Sequence, residues 1–473
     1  MRYDPVKAPC LHIVWRWVGV AAIFACLLVV TACALKRPPS ATEIRDQQLT
    51  HAPAPPAWTA SGAAARPVSA GWLATFNDST LDALVGEALT YNADLQVAAS
   101  RVEQAAAYAK AAGAAIYPAV NLLARGGGDL SGDNSGLQGG LVSASWELDL
   151  WGRVRAGRAA AAMQYASTEA DFVYARQSLA ALVAKSWFLA IEAHLHTSIA
   201  EDMVHAAERL AELARERRQV GAGNEYDVVV AEANLGNMRD ALSGLQLAYT
   251  QALRALEVLL GRYPSATLVT ASALPDLPAP VPAGLPSELL ERRPDIVAAE
   301  RRVAAAFHQV EEAKAARLPQ ISLTASVSSI SSDLFVLTDR DNPVWSAGAS
   351  LLAPIYQGGA LQAQVEIRTA EQKQALAEYA RAGLHAFSDV ENALSSEFTL
   401  TTREKYLAKA VADNARAVEL AEVRYRVGTS DLRAVSQQQL ALFTERTTLL
   451  RVQSEALVQR VNLFLALGGG FSQ

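Results

Sequence analysis

Apolar and polar positions follow two periods along this chain. Residues 321–328 read Ile-Ser-Leu-Thr-Ala-Ser-Val-Ser, so Ile321, Leu323, Ala325 and Val327 share one face of a strand. Ser322, Thr324, Ser326 and Ser328 share the other. In 142–149, Val142, Ala144, Trp146 and Leu148 oppose Ser143, Ser145, Glu147 and Asp149. Val120, Leu122 and Ala124, and Trp345, Ala347, Ala349 and Leu351, alternate more weakly. Strands are predicted at about 118–130, 139–150, 319–331 and 344–355. After each pair comes a long proline-free stretch rich in Ala, Glu, Arg and Gln, about 153–220 and 360–427, which predicts helix. A glycine turn ends each stretch, Gly221-Ala222-Gly223 or Gly428-Thr429-Ser430, before a closing stretch at 224–260 or 431–467. Helix-favouring residues 94–115 and 295–316 precede the two strand pairs.

The same plan is therefore written twice. Asp94-Leu95 through Leu122 lies without gaps over Asp295-Ile296 through Leu323, with Arg101-Val102 on Arg302-Val303 and Pro118 on Pro319. Gly152 matches Gly358, Gly221 matches Gly428 and Gly261 matches Gly468 at a slowly drifting offset. Shared order and drift indicate tandem duplication. The first repeat covers 72–263 and the second 295–470, joined by a linker at 264–294 that carries Pro275, Pro278, Pro280, Pro282 and Pro286. At 1.5 Å per residue each long stretch would make a helix about 100 Å long. The turns fold it back as antiparallel hairpins at about 153–260 and 360–467. The returning helix is too short to cover its partner. Adding the opening helix nearly restores the length, so the two short helices are expected to stack end to end beside the long one. By helix pattern alone, a soluble helical bundle would read the same way.

Alternation alone also fits an ordinary sheet with one face on a core. Three features favour a membrane barrel instead. The strands have the reach of a tilted crossing, about 9–11 residues. Their polar face is small and hydroxylic, as suits a wet lumen. Trp146, Trp151, Trp345 and Tyr356 lie near strand ends, where an interfacial aromatic belt belongs. Four strands cannot close such a barrel, and open edges in lipid leave backbone groups unpaired. Two chains would give about eight strands, largely filled by side chains, and three about 12, with room for a pore. Segments 126–140 and 329–343 would then be the outward turns.

The amino terminus adds an address. Arg2, Lys7 and Arg16 precede an apolar run from Trp17 to Val30, which predicts a secretory signal over residues 1–32. A single transmembrane anchor is the competing reading. Val30-Thr31-Ala32-Cys33 resembles a bacterial lipobox, in which Cys33 would be lipid-modified and begin the mature chain. Ala34 follows it, where Asp would favour inner-membrane retention. No later stretch holds 18 uninterrupted apolar residues. Residues 33–71, with Pro53, Pro55, Pro56 and Pro67, read as an extended lipidated tether.

Composition narrows the chemistry. All three cysteines, Cys10, Cys26 and Cys33, lie near the amino terminus, which removes disulfides, thiolate metal sites and thiol nucleophiles from the body. A formal net charge of −6 lacks the basic surplus of a nucleic-acid binder. With 51% hydrophobic and 19% charged residues, extensive disorder is not expected. Gly152 and Gly157 have phosphate-loop spacing, but Arg158-Ala159 follows where Lys-Ser/Thr is required. His194 and His196 point away from one another on a helix, and His205 is three turns from His194. No enzyme activity, cofactor or metal site is expected.

At this point the sequence resembles the TolC-type outer-membrane efflux proteins, particularly their lipoprotein, NodT/OprM-like branch, over about residues 72–470. The resemblance is carried by Glu291-Arg292-Arg293-Pro294-Asp295-Ile296 with Ala299-Glu300, and by Leu318-Pro319. It is carried also by Trp146-Glu147-Leu148-Asp149-Leu150-Trp151-Gly152-Arg153 and Pro354-Ile355-Tyr356-Gln357-Gly358-Gly359. Arg424-Tyr425-Arg426-Val427-Gly428 and Ala466-Leu467-Gly468-Gly469-Gly470 complete it. It implies a mainly α fold with membrane β: a homotrimeric 12-stranded β-barrel continued by a long antiparallel α-helical periplasmic barrel, with two tandem repeats per chain. It places the protein in outer-membrane lipid, lipid-anchored and membrane-spanning, with a large periplasmic part. It implies docking to a periplasmic adaptor (membrane fusion) protein and an inner-membrane pump, and passive export of drugs, metals or other small solutes.

The resemblance assigns residues too. Tyr425 and Asp227 match the tyrosine and aspartate that interact where the periplasmic end closes. Ser430 stands where the best-known exporter has an arginine, and Ala434 and Gln437 where it has two aspartates, so Glu225, Asp227 and Asp431 are the acids available to a gate. Gly221, Gly223, Gly428 and Thr429 form the turns that would meet the adaptor. Two other readings share much of the pattern: a non-conducting, periplasm-spanning structural or adaptor lipoprotein, and a duct for type I protein export. The first has no use for strand pairs in both halves.

Overall fold

The structure is a computed structural model that describes residues 36–60, 71–125, 138–281, 283–284, 286–331 and 344–470. The predicted signal and Cys33 lie outside the described residues, as do 126–137 and 332–343 of the expected outward turns. In chain order the helices and strands are α1 (Ala41–Gln48), α2 (Ser79–Tyr91), α3 (Ala93–Ala114), β1 (Ala119–Arg125), β2 (Gln138–Leu148), α4 (Arg153–Gln219) and α5 (Glu225–Leu259). They continue with α6 (Pro286–Arg292), α7 (Pro294–Ala315), β3 (Gln320–Ser331), β4 (Val344–Leu352), α8 (Ala360–Arg426) and α9 (Leu432–Ala466). A short 3-10 turn, Trp72–Phe76, precedes α2. The described residues form two compact units, one drawn from 1–48, 102–168 and 299–379 and the other from 49–101, 169–298 and 380–473.

The duplication reappears as equal lengths. Helices α3 and α7 each have 22 residues, α4 and α8 each 67, and α5 and α9 each 35. Both long helices stop by the same device. Gly221 and Gly428 adopt φ +73° and +83°, a region that costs an L side chain energy. The amides of Ala222 and Thr429 then satisfy the carbonyls of Arg217 and Arg424, at 2.8 and 2.9 Å. The returning helices also start alike: Asn224 and Asp431 accept from the Asp227 and Ala434 amides at 2.8 and 2.9 Å.

The second unit holds the junctions where short helices meet end to end. Asn92 caps α3 by accepting from the Leu95 amide at 3.0 Å, while its Nδ2 donates to the Leu259 carbonyl at the end of α5 at 2.9 Å. In the second repeat Arg292 Nη2 donates to the Leu467 carbonyl at the end of α9, 2.5 Å. Polar side chains at the entry of α3 and α7 thus satisfy carbonyls that α5 and α9 leave unpaired. Near the end of α9 Trp72 stacks on Phe464 at 5.6 Å, and Trp187 of α4 donates to Asp78 at 2.7 Å. Asp78 also caps α2. An 18-residue window of α4 is apolar enough to cross a membrane, with mean hydropathy 1.3 and 44% of it buried within the protein. Ala180, Val183, Ala184, Phe188 and Ile191, all buried, make that stretch a core helix.

Two expectations are corrected, the extended tether and the strand ends, and the linker at 264–294 is tied down. Glu257 accepts from the Ala266, Thr267 and Leu268 amides at 2.6, 2.9 and 3.3 Å. Arg460 donates to the carbonyls of Pro278 and Ala279, and α6 and the first residue of α7 occupy the linker's end. Prolines here start helices, where their missing amide costs nothing. The tether is likewise packed over its described part. Ile44 is buried in the first unit. In the second, Trp58 donates to the Gly284 carbonyl at 3.2 Å, while Glu391 accepts from Thr59 N, Thr59 Oγ1 and Ala60 N at 2.8, 2.7 and 2.9 Å. Isolated anchors of this kind have no period to betray them. Finally, β2 and β4 end at Leu148 and Leu352, short of 150 and 355. Leu150 turns its amide back to Leu148 at 2.8 Å, and Pro354 has no amide to continue a ladder.

Candidate functional site

Two places gather the predicted residues, one in each unit. The first is the antiparallel sheet β1-β2-β3-β4. Its register stacks like with like. Val120, Ala144, Ala325 and Ala347 stand in one row, and Leu122, Val142, Val327 and Trp345 in a second. Trp146, Leu323 and Ala349 form a third. On the other face Asn121, Ser143, Ser326 and Ser346 align, and Ser145 and Thr324 align with Gly348. Ser326 and Ser346 share a hydrogen bond of 2.7 Å. Because side chains alternate along every strand, one face is apolar and the opposite one hydroxylic over these rows, with Leu123, Leu141 and Val344 joining Ser328 in its last row toward the outward turns. Leu122 and Trp345 on the apolar face are 73% and 78% exposed. β1 and β4 each have one edge with no strand beside it among the described residues.

The four aromatic positions divide between the sheet's two ends. Trp345 is level with Val142, at the end next to residues 332–343. Trp146, Trp151 and Tyr356 lie at the end from which α4 and α8 depart. Trp146 donates to the Ile116 carbonyl at 2.8 Å and Trp151 to that of Pro319 at 2.7 Å, whereas Trp345 and Tyr356 project freely. Below Trp146, Arg153 grips Glu147 through two bonds of 3.0 and 2.6 Å, and Arg155 reaches Asp149 at 3.0 Å.

The second place is the paired hairpin tips of the other unit. Buried Leu210, Ala211, Val228, Ala231, Leu432 and Val435 enclose Tyr425, which is 1% exposed. Burial raises the Tyr425 pKa above its ordinary value, and the charge of Asp227 adds to that while Arg217 opposes it. The Tyr425 hydroxyl has no hydrogen-bond partner among the described residues, so none joins it to Asp227. Glu225 pairs instead with Arg218 at 2.7 Å, and Asp431 serves as the cap of α9. Gly223 is pressed against Arg217 and Arg218, so that a Cβ there would lie 3.1 Å from the Arg218 amide nitrogen.

The residue that reaches Tyr425 is one that the sequence reading did not single out. Arg217 sets its guanidinium over the tyrosine ring, 4.6 Å from the centroid, and donates to the Tyr425 carbonyl. Its other terminal nitrogen donates to the Ala222 carbonyl at 3.1 Å. A signal was present: Arg217 stands four residues before Gly221, as Arg424 stands before Gly428. Close to the tips, polar links also cross between hairpins from Arg433 to the Tyr226 hydroxyl and from Asn234 to Ser436, both 3.1 Å. A cavity of about 240 Å³ lies beside them, lined by Met203, Met238, Val230, Arg433 and Leu440 among others. Among the described residues no three His, Cys, Asp or Glu are grouped to hold a metal ion.

This geometry has counterparts. The model of the outer membrane efflux protein family matches residues 84–262 and 285–469, one segment per repeat. The cation efflux system protein CusC of Escherichia coli O6:H1 is 31% identical over 412 residues, 86% of this chain and 89% of that one. The pyoverdine export outer membrane protein OpmQ of Pseudomonas putida is 32% identical over 463 residues, 94% and 96%. The solved outer-membrane channel OprN aligns with a TM-score of 0.80 at 27% identity, covering 93% of this chain and 99% of its own. Duplicated hairpins, a two-faced sheet with open edges and end-to-end similarity converge, and the chain belongs to the outer membrane efflux protein family.

Proposed function

We propose that three copies of this chain join their sheets into one 12-stranded barrel, through which small solutes leave the periplasm passively. The channel is an outer-membrane component of a tripartite efflux system. The observation that carries the trimer is the sheet: one face apolar and exposed, the other hydroxylic, and both edges open. In lipid an unpaired strand edge is untenable, so the edges of β1 and β4 must pair with other copies. Only a barrel wider than about eight strands leaves a passage. The apolar rows then face lipid, the serine rows face water, and the aromatic residues at the two ends mark the two interfaces.

Lipid attached to Cys33 anchors the amino terminus in this reading. The turns at Gly221, Gly223, Gly428 and Thr429 meet a periplasmic adaptor, which links the channel to an inner-membrane pump. The periplasmic end closes at the hairpin tips around Tyr425 and Asp227, with Glu225 and Asp431 as further acids at the mouth. The cargo class is small solutes, as the names of the cation and pyoverdine exporters suggest. Conduction across a bilayer needs no catalytic group.

Single-channel recording of the purified protein in a planar bilayer, with oligomer mass measured in parallel, tests this. Trimers giving discrete current steps are expected. A monomer or dimer that never conducts would overturn the duct and favour the bridging lipoprotein.

A further inference from the structure

We infer that Arg217 is the clasp that ties the two hairpin tips of one chain together, in the place where the resemblance implies an interaction of Tyr425 with Asp227. The inference rests on the tips being the closing end.

Helices α4 and α8 both end here with carbonyls that no intrahelical amide can satisfy. Arg217 is itself in the last turn of α4, and its side chain serves both ends. One terminal nitrogen donates to the Ala222 carbonyl in the first turn, and the other to the Tyr425 carbonyl in the last turn of α8. A cation at two helix carboxyl ends is favoured by both dipoles. The planar guanidinium also lies on the Tyr425 ring.

The other links between the tips are weaker anchors. Tyr226 is exposed, so water competes for the Arg433 bond, and Asn234–Ser436 is a neutral pair. Asp227 acts on Tyr425 only by its charge, since the phenol hydroxyl is sealed and unbonded. Beyond the apolar packing around Tyr425, what ties the second tip to the first is therefore its backbone and ring face, not its hydroxyl.

The test compares Arg217→Met, Tyr425→Phe and Asp227→Asn as full-length trimers, by hydrogen exchange of the second turn (residues 427–432) and by closed-state conductance. Arg217→Met keeps an apolar stem but removes charge and fork, and should speed exchange at that turn, distant in sequence, about tenfold, the scale of one lost contact. Tyr425→Phe and Asp227→Asn should leave that exchange unchanged. Faster exchange with raised conductance supports both clasp and gate. Faster exchange with unchanged conductance supports the clasp and overturns closure at the tips. Unchanged exchange in Arg217→Met, or equal loosening in Tyr425→Phe, overturns the clasp.

Discussion

Single residues set how tightly the elements dock, and glycines of the same kind differ sharply in what they are for. Gly221 and Gly261 both have positive φ, +73° and +76°. Around Gly221 there is open space, whereas a Cβ on Gly261 would stand 2.6 Å from the Tyr91 carbonyl oxygen. Gly221→Ala should cost only the conformational penalty, about 1 kcal/mol. Gly261→Ala must also push α2 away from the end of α5, so its assemblies should melt at a distinctly lower temperature in a thermal scan. One buried acid, Glu257, and one half-buried acid, Glu391, make a second case. Burial would raise the pKa of Glu257 and of Glu391, but amide donors hold both below the ordinary glutamate range, with the Thr59 hydroxyl also bonding Glu391. A depressed folded pKa gives stability that is complete above the unfolded value and lost as pH falls through the folded one. Segments 59–60 and 266–268 should therefore become protease-sensitive below about pH 4 and stay protected at neutrality. Glu391→Gln should release the first segment at neutral pH, measured by cleavage near Trp58.

At the scale of elements, the sheet's two faces offer the sharpest contrast. Val327 and Ser326 are neighbours in β3 that point to opposite faces. If the apolar face meets lipid, Val327→Arg should destabilise the barrel by about 2–4 kcal/mol near the bilayer midplane, while Ser326→Arg faces the lumen and is tolerated. Heat-modifiability of the folded barrel on gels reads the difference directly, and equal effects would remove the lipid assignment. The hairpins carry their own test. Asn224→Ala and Asp431→Ala each delete one cap, worth about 1 kcal/mol. Their similar cost would follow from the duplication, which gives both returning helices the same start.

For the whole molecule, duplication supplies each chain with four strands instead of two among the described residues, yet still leaves two open edges there. If those edges pair with other copies, barrel closure and assembly are one event. Warming the detergent-solubilised protein should abolish the oligomer mass and the β circular-dichroism signal in a single transition. A monomer that kept its full strand signal in lipid would contradict shared closure.

Much of this was legible in the residues because periodicity is local. Alternation in 321–328 announced β3, glycine positions announced where α4 and α8 stop, and matched offsets announced two repeats of equal plan. Family membership followed from motifs that span both repeats. The hairpin tips were located by those same glycines, but the partners within them were not. Arg217 meets Tyr425, Glu391 holds Thr59, and Arg460 grips the proline-rich linker, each across more than 180 positions of sequence. A periodic face is written by neighbours a few residues apart, so the chain alone declares it. Which cation satisfies which carbonyl depends on helix ends meeting in space, and only the tertiary structure decided that.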